Sequence, residues 1–446
     1  MKKSGMGNFK RITKKIAGVV LTTAMTTCML AGCGGAAESS SGSGDSSGKT
    51  VLKWSIWDEK TTPYWSELAN AYMAKNSNVK IEMTDLGSTD YNTVLSTELS
   101  GSGSDFDIVT MKDVPGYATL ISKGVLEPLS DRIKTDNVDL TKFNGATDQL
   151  VAEDGKLYEL PFRSDFWVLF YNKDVFDKAG VAYPTNDMTM EQYQELAKKV
   201  TKSGFGNDQV YGAHYHTWRS AVQLFGVLDG KSSIVDGNYD WAKQYYNMVL
   251  DEQKDGVCRS YVDLTASKLH YSGAFSEGNT AMMNMGTWFI GTMIANVKSG
   301  QYDKSLCGNW GIVKYPHPSG VEAGTTLGQV TSLAIPTSSK NKDAAWDFIK
   351  FVSGEEGAKV VAKTGNFPAA MTADTVSQIA SIDGFPTDAA SKEALQTKKV
   401  YLEAPYDKNI AQINTILDTY HKDIMNGDCT VDQGIANMNK EVKALK

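Results

Sequence analysis

Cysteine and histidine are scarce in this chain, five of each among 446 residues. Two of the cysteines, Cys28 and Cys33, lie near the N-terminus. The other three, Cys258, Cys307 and Cys429, are widely spaced with no CxxC pair, so neither a thiolate metal site nor a dense disulfide framework is written here, and one bridge at most is open. The histidines form no HExxH, and only His214-Tyr215-His216 brings two close together. Both would face the same way on a strand, as hydrogen-bonding or surface groups rather than metal ligands. No glycine signature of a phosphate loop or dinucleotide fold occurs. Beyond the N-terminus no stretch approaches 18 apolar residues, which excludes a helical channel or permease. Lys and Arg do not cluster, so a nucleic-acid groove is excluded as well.

What the chain does have begins at its N-terminus. Lys2, Lys3, Lys10, Arg11, Lys14 and Lys15 precede a mostly apolar run, Ile16 to Ala31, interrupted by threonines. The run is too short and too polar for a membrane helix of about 20 residues, and its layout is that of a secretory signal. It ends Leu30-Ala31-Gly32-Cys33, which resembles the lipobox of bacterial lipoproteins. That resemblance implies cleavage after residue 32 and lipid modification of Cys33. Residues 33–49 are almost entirely Ser, Gly and Ala, with little to bury, and read as a disordered tether with a reach of roughly 20–25 Å. Residues 1–32 carry six basic side chains and no acidic ones. Without them 39 Lys and Arg face 52 Asp and Glu, a net charge of −13. An acidic body facing outward suits a neutral ligand.

The remaining body exceeds the size at which one core keeps growing, so two lobes are expected. It opens with a strand, Val51–Trp57, whose Leu52, Trp54 and Ile56 share an apolar face. A helix over 64–75, a strand over 79–83, a helix near 91–99 and a strand over 106–110 follow. That alternation predicts a parallel sheet covered on both sides, with ligand loops at the carboxyl ends of its strands. Trp167–Tyr171 reads as a short buried strand. Thr189 and Gln192 form a capping box before a helix. Val330–Ile335 is an apolar run ending at Pro336, and Ala345, Phe348, Ile349 and Val352 share one helical face.

Several short blocks resemble the extracellular sugar-binding proteins of ABC importers, the broad family of maltose- and oligosaccharide-binding proteins. They are Ser104–Val109 with Gly116–Leu120 and Gly124–Leu129; Gly155–Pro161 with Phe170–Phe176 and Ala179-Gly180; Pro184 and Thr189–Tyr193; Phe275–Met282 with Gly286-Thr287-Trp288; Asn309–Ile312; Ile335-Pro336; Ala345–Phe351; and Gly365–Pro368. Each is weak alone; their order over residues 50–370 is specific. Residues 370–446 match only by helical content. Glu159 departs from the family's usual glycine, and residues 184–190 depart from its usual tryptophan motif.

The resemblance implies an α/β, two-lobed periplasmic-binding-protein-like fold with discontinuous lobes and a multi-segment hinge. The crossings fall near Leu160–Asp165, Gln329–Ala334 and Gly365–Ala369. Lobe one is then 50–162 with 331–366, and lobe two 164–329 with 368–446. It implies capture of a carbohydrate, more readily an oligosaccharide, and delivery to ABC permease subunits by lobe closure. The protein would be a non-enzymatic monomer without cofactor or metal, lipid-anchored at the extracytoplasmic face of the membrane. Polyol phosphate, polyamine or metal cargo is the alternative within binding proteins, and a secreted glycoside hydrolase the alternative outside them.

A sugar offers hydroxyls to polar side chains and C–H faces to flat aromatics. Nine tryptophans all lie in the body. The resemblance puts a stacking aromatic at Trp288, where Gly286 and Gly291 would allow close approach. Trp57, followed by Asp58 and Glu59, is a candidate as either a cleft or a core residue. Lys112 and Asp113 follow a strand and form either a ligand loop or a solvated turn. Arg163 and Asp165, at the first crossing, bind hydroxyls or pair with each other. Trp218, beside His216 and Arg219, and Phe367, on the third crossing, complete the candidates. Trp54, Trp310 and Trp346 read as packing; Trp65, Trp167 and Trp241 are open.

Overall fold

The computed structural model describes residues 48–101, 104–204 and 208–446. The signal, Cys33 and nearly all of the tether lie outside the described residues. Nine strands form the sheet system: β1 Thr50–Ile56, β2 Val79–Asp85, β3 Ile108–Met111, β4 Glu159–Asn172, β5 Tyr211–His214, β6 Thr280–Gly286, β7 Trp310–Lys314, β8 Thr325–Ala334 and β9 Lys399–Leu402. Their order is β2-β1-β3-β8-β4-β6-β5, with β7 also on β4 and β9 on β8.

The expected parallel sheet is only partly present. β1 pairs in parallel with β2 and β3, and β5 with β6, but β3, β6, β7 and the long β4 and β8 meet in antiparallel pairs. The reason lies in β4. Its first half pairs with β8 over Glu159–Phe166, and its second half, Trp167–Asn172, pairs with β6 and β7. One 14-residue strand therefore runs through both lobes. Only its apolar second half reads as a strand in the sequence. The first half carries Pro161, Arg163 and Asp165, and its register shifts between Pro161 and Arg163, where a proline needs no ladder bond.

Residues 367–369 run beside this point: Ser164 N–H donates to Phe367 O, and Ala369 N–H to Phe162 O, both at 2.9 Å. Three chain segments thus lie side by side where the lobes join. One buried cluster gathers residues from 52–162 and 330–352, with Val361, Ala369, Ala370 and Leu402. Two more fill the other lobe. One joins Trp167 to the 410–442 helices; the other surrounds Phe170, Phe275, Phe289 and Phe367.

Local readings hold well. The helix Tyr64–Lys75 has its expected bounds, and Leu52, Trp54 and Ile56 are fully buried. Thr189 caps helix Met190–Val200 in a complete capping box with Gln192. Cys258, Cys307 and Cys429 are free thiols. Among the described residues no helix is long and apolar enough to cross a membrane.

Candidate ligand-binding cleft

β6 ends at Gly286, and helix Trp288–Ser299 begins two residues later. The Trp288 ring folds back over that glycine: a Cβ at 286 would lie 2.0–2.3 Å from it. Only glycine permits this placement. Trp288 stands edge-on to Trp167, ring centroids 6.0 Å apart, and 6.2 Å from Trp218 at an interplanar angle of 57°. Trp218 is held by His216 and Tyr271 at 4.5 and 5.4 Å, yet stays 39% exposed. A large aromatic left this open beside a second one makes this a candidate ligand surface.

The two indoles line a chamber of about 580 Å³, with Tyr261, Gln329, Asp418 and Lys422. Its polar wall is helix Ile410–Asn426. Ile410, Ile413, Leu417 and Ile424 anchor that helix in the core, which leaves Asn414, Asp418 and Lys422 on a shared polar stripe at four-residue spacing. Arg219 fixes the stripe. Only 9% exposed, it donates from Nε to Asp418 at 3.0 Å, from Nη2 to Asn414 at 3.1 Å and from Nη1 to Gln223 at 2.9 Å.

At the floor, Glu403 accepts from the buried Trp167 indole N–H at 2.7 Å. Burial pushes its carboxyl above the usual range, against the lowering effect of Trp167 and Gln329. A second chamber, about 290 Å³, begins here and shares Arg219, Gln329 and Glu403 with the first. Asp113, Val114, Pro115, Val330, Leu402 and Asn414 line it further, with Gly328 and Ala404. Asp113 caps helix Val114–Ser122 by accepting from Gly116 N–H at 2.8 Å, and also accepts from Asn92.

The family model for bacterial extracellular solute-binding proteins matches residues 58–359. The chain belongs to that family. The solute-binding protein is similar to a sugar transporter from Rhizobium etli solved in an open conformation, with 52% identity, a TM-score of 0.85, and coverage of 89% of this chain and 100% of that one. It is 27% identical over 350 residues to the arabinooligosaccharide-binding protein of Bacillus subtilis, 75% of each chain. It is 26% identical over 373 residues to a maltooligosaccharide transporter lipoprotein of Streptococcus pneumoniae, 80% of each. These are solute-binding transport proteins, not enzymes, and the two-lobed fold is theirs. Glu403, Asn414, Asp418 and Lys422 lie beyond the matched span.

In this solute-binding protein the expected site residues fall into three groups. Trp218, Trp288 and Asp113 line the chambers. Trp57, Asp58, Glu59 and Lys112 line neither. Trp57 is 8% exposed and packs edge-on between Trp65 and Tyr91, at 5.0 and 4.9 Å. Its carbonyl accepts from Trp65 Nε1, and Lys112 Nζ lies 5.6 Å from its ring. Asp58 takes a left-handed turn, φ 48°, and its N–H and that of Glu59 are both accepted by Asp85. Lys112 donates to Ser88 O.

The third group builds the hinge. Arg163 pairs with Asp165 at 2.7 Å and reaches Thr331 at 3.3 Å. Asp165 also accepts from Thr287 at 3.2 Å. Of the two roles open to this pair, the structure shows mutual pairing. Phe367, expected as a stacking candidate, is 2% exposed and packs edge-on against Phe166 at 5.5 Å; its ring belongs to the core because its backbone is tied to β4. The histidines at 214 and 216 lie with ring centroids 6.1 Å apart, and burial lowers their pKa values to about 3 and about 4. Among the described residues no group of three or more potential ligands could hold a metal ion.

Proposed function

We propose that this protein captures a neutral carbohydrate, an oligosaccharide in preference to a monosaccharide, outside the cytoplasm and delivers it to an ABC permease by closing its lobes. The carrying observation is the exposed Trp218 and the half-buried Trp288 facing a wall of hydrogen-bonding groups whose carboxylates are already engaged. Asp418 is paired with Arg219, Glu403 is held by an indole N–H, and Asp113 accepts from Asn92 and Gly116. A polyamine would need an uncommitted acidic cage, and a phosphate a cluster of uncommitted cations, where this wall offers Lys422 beside an Arg219 already engaged. The two similar proteins named for arabino- and maltooligosaccharides support the same cargo class.

The finer parts of this reading rest on sequence. Signal cleavage after residue 32, lipidation at Cys33 and a tether over 33–49 follow from the N-terminal pattern, and the body is read as a monomer. Lobe limits of 50–162 with 331–366, and 164–329 with 368–446, agree with the side-by-side crossings. Calorimetry with maltotriose, mannotriose, arabinotriose and galactobiose, against glycerol phosphate and spermidine, tests the cargo class. Binding of at least one sugar is expected. Binding of only the charged compounds would sink the proposal.

A further inference from the structure

The two chambers differ in which lobe builds them. Trp218, Trp288, Tyr261, Asp418 and Lys422 all sit on the lobe whose cores contain Trp167, Phe170 and Leu417; Gln329 of β8 is the only hinge contribution among these wall groups. The second chamber is built from both sides. Val114 and Val330 belong to the core of the lobe that contains β1, whereas Asn414 stands on helix Ile410–Asn426 of the other. A ligand shifts an open–closed equilibrium only through contacts that differ between the two states. A sugar confined to the aromatic chamber touches one lobe and a hinge residue. A sugar reaching the second chamber meets Val114 and Pro115 of one lobe and Asn414 of the other.

We infer that the second chamber is a chain-extension subsite, and that its occupancy, rather than that of the aromatic chamber, closes the lobes, so the protein selects its cargo by chain length. This rests on the carbohydrate reading above. Four helical residues rise roughly 6 Å, so Asp418 in one chamber and Asn414 bordering the other are one short step apart along the wall. Asn414 Oδ1 is taken by Arg219, which leaves its Nδ2 donors for the extending sugar. Glu403 and Gln329 line both chambers and stand where a glycosidic linkage would cross. The second chamber has no aromatic wall residue, so it adds hydroxyl reading and lobe contact rather than a stacking platform.

The test uses the protein as it exists and three homologous series, glucose to maltotetraose, mannose to mannotetraose and arabinose to arabinotetraose. Affinity is read by calorimetry and closure by the radius of gyration in solution scattering. Within a series that binds, the shorter members are expected to bind without compaction and the longer ones with it. Asn414→Ala should weaken the longer members about tenfold and the shorter ones less than twofold. Pro115→Trp, which fills the second chamber from the opposite lobe, should abolish compaction while the shorter members still bind. Full compaction by the shortest sugar that binds, or equal weakening of every chain length by both variants, overturns the inference and leaves the carbohydrate reading standing. Binding of no sugar by the unsubstituted protein overturns both.

Discussion

At Gly286 the missing side chain is the space that the Trp288 ring fills, so two residues share one function. Trp288→Ala should weaken the best-bound sugar about tenfold or more, about 1.4 kcal/mol, with a thermal transition still present. Gly286→Ala should do nearly as much without touching the ring's chemistry, because the added methyl would displace the indole. Near-normal binding by Gly286→Ala would show that the ring's position is not set there.

Buried Glu252 gives a second residue-scale prediction. Burial raises its pKa to about 7, against the hydrogen bond from Tyr215 at 2.8 Å. An acid raised in the folded state binds more protons folded than unfolded, so it lowers stability as pH climbs from about 4.5 to about 7. Glu252→Gln keeps an acceptor for Tyr215 and removes that penalty. The variant's gain in stability, read from its melting temperature, should grow across this window and level off above pH 7, reaching at most about 3 kcal/mol; a gain independent of pH would contradict it. His214 and His421, both lowered to about 3 by burial, act in the opposite sense. The unfolded chain takes up their protons below about 6.5, so they cost stability as pH falls from there toward 3.

Among the elements, helix Ile410–Asn426 is positioned by one guanidinium. Arg219→Met keeps the apolar stem but frees Asn414 and Asp418. It should weaken sugar binding about tenfold, and Arg219→Lys should not restore it, since an ammonium on a flexible stem cannot reproduce a planar fork. Wild-type affinity in the lysine variant would show that charge alone suffices. This helix also shows where sequence reading stops. Its helical content was legible, but Asn414, Asp418 and Lys422 look like any solvated polar face until the fold turns them toward Trp218. The capping box of Thr189 was legible because a local rule placed it, whereas Trp288 was singled out by family resemblance and Trp218 by its neighbours His216 and Arg219. Trp57 was ambiguous for a plain reason: a tryptophan at a strand end serves a core or a cleft equally well, and only Trp65 and Tyr91, distant in sequence, decide. Pro161, Arg163 and Asp165 hid the first half of β4, because pairing with β8 across more than 160 residues leaves no local pattern.

For the whole molecule, the hinge is a set of three antiparallel, side-by-side segments rather than a single linker, which favours a directed closing motion. Arg163, Asp165, Thr287 and Thr331 tie β4 to β8 and to the turn after β6 without filling either chamber. Gln329 excepted, the side chains that stiffen the joint are therefore not those that line the cleft.

β4 has a consequence for how the molecule comes apart. Its 14 residues contribute Leu160 and Phe162 to one core and Trp167 to Tyr171 to the others. Neither lobe can melt without stripping a strand from its neighbour's sheet. Calorimetry should show one heat-absorption peak, not two, with the calorimetric enthalpy matching the van't Hoff value. Two resolved peaks would mean the shared strand does not couple them. A single peak would mean that damage anywhere in one lobe is felt as lost cooperativity in both, so this trap unfolds as one body although it works as two.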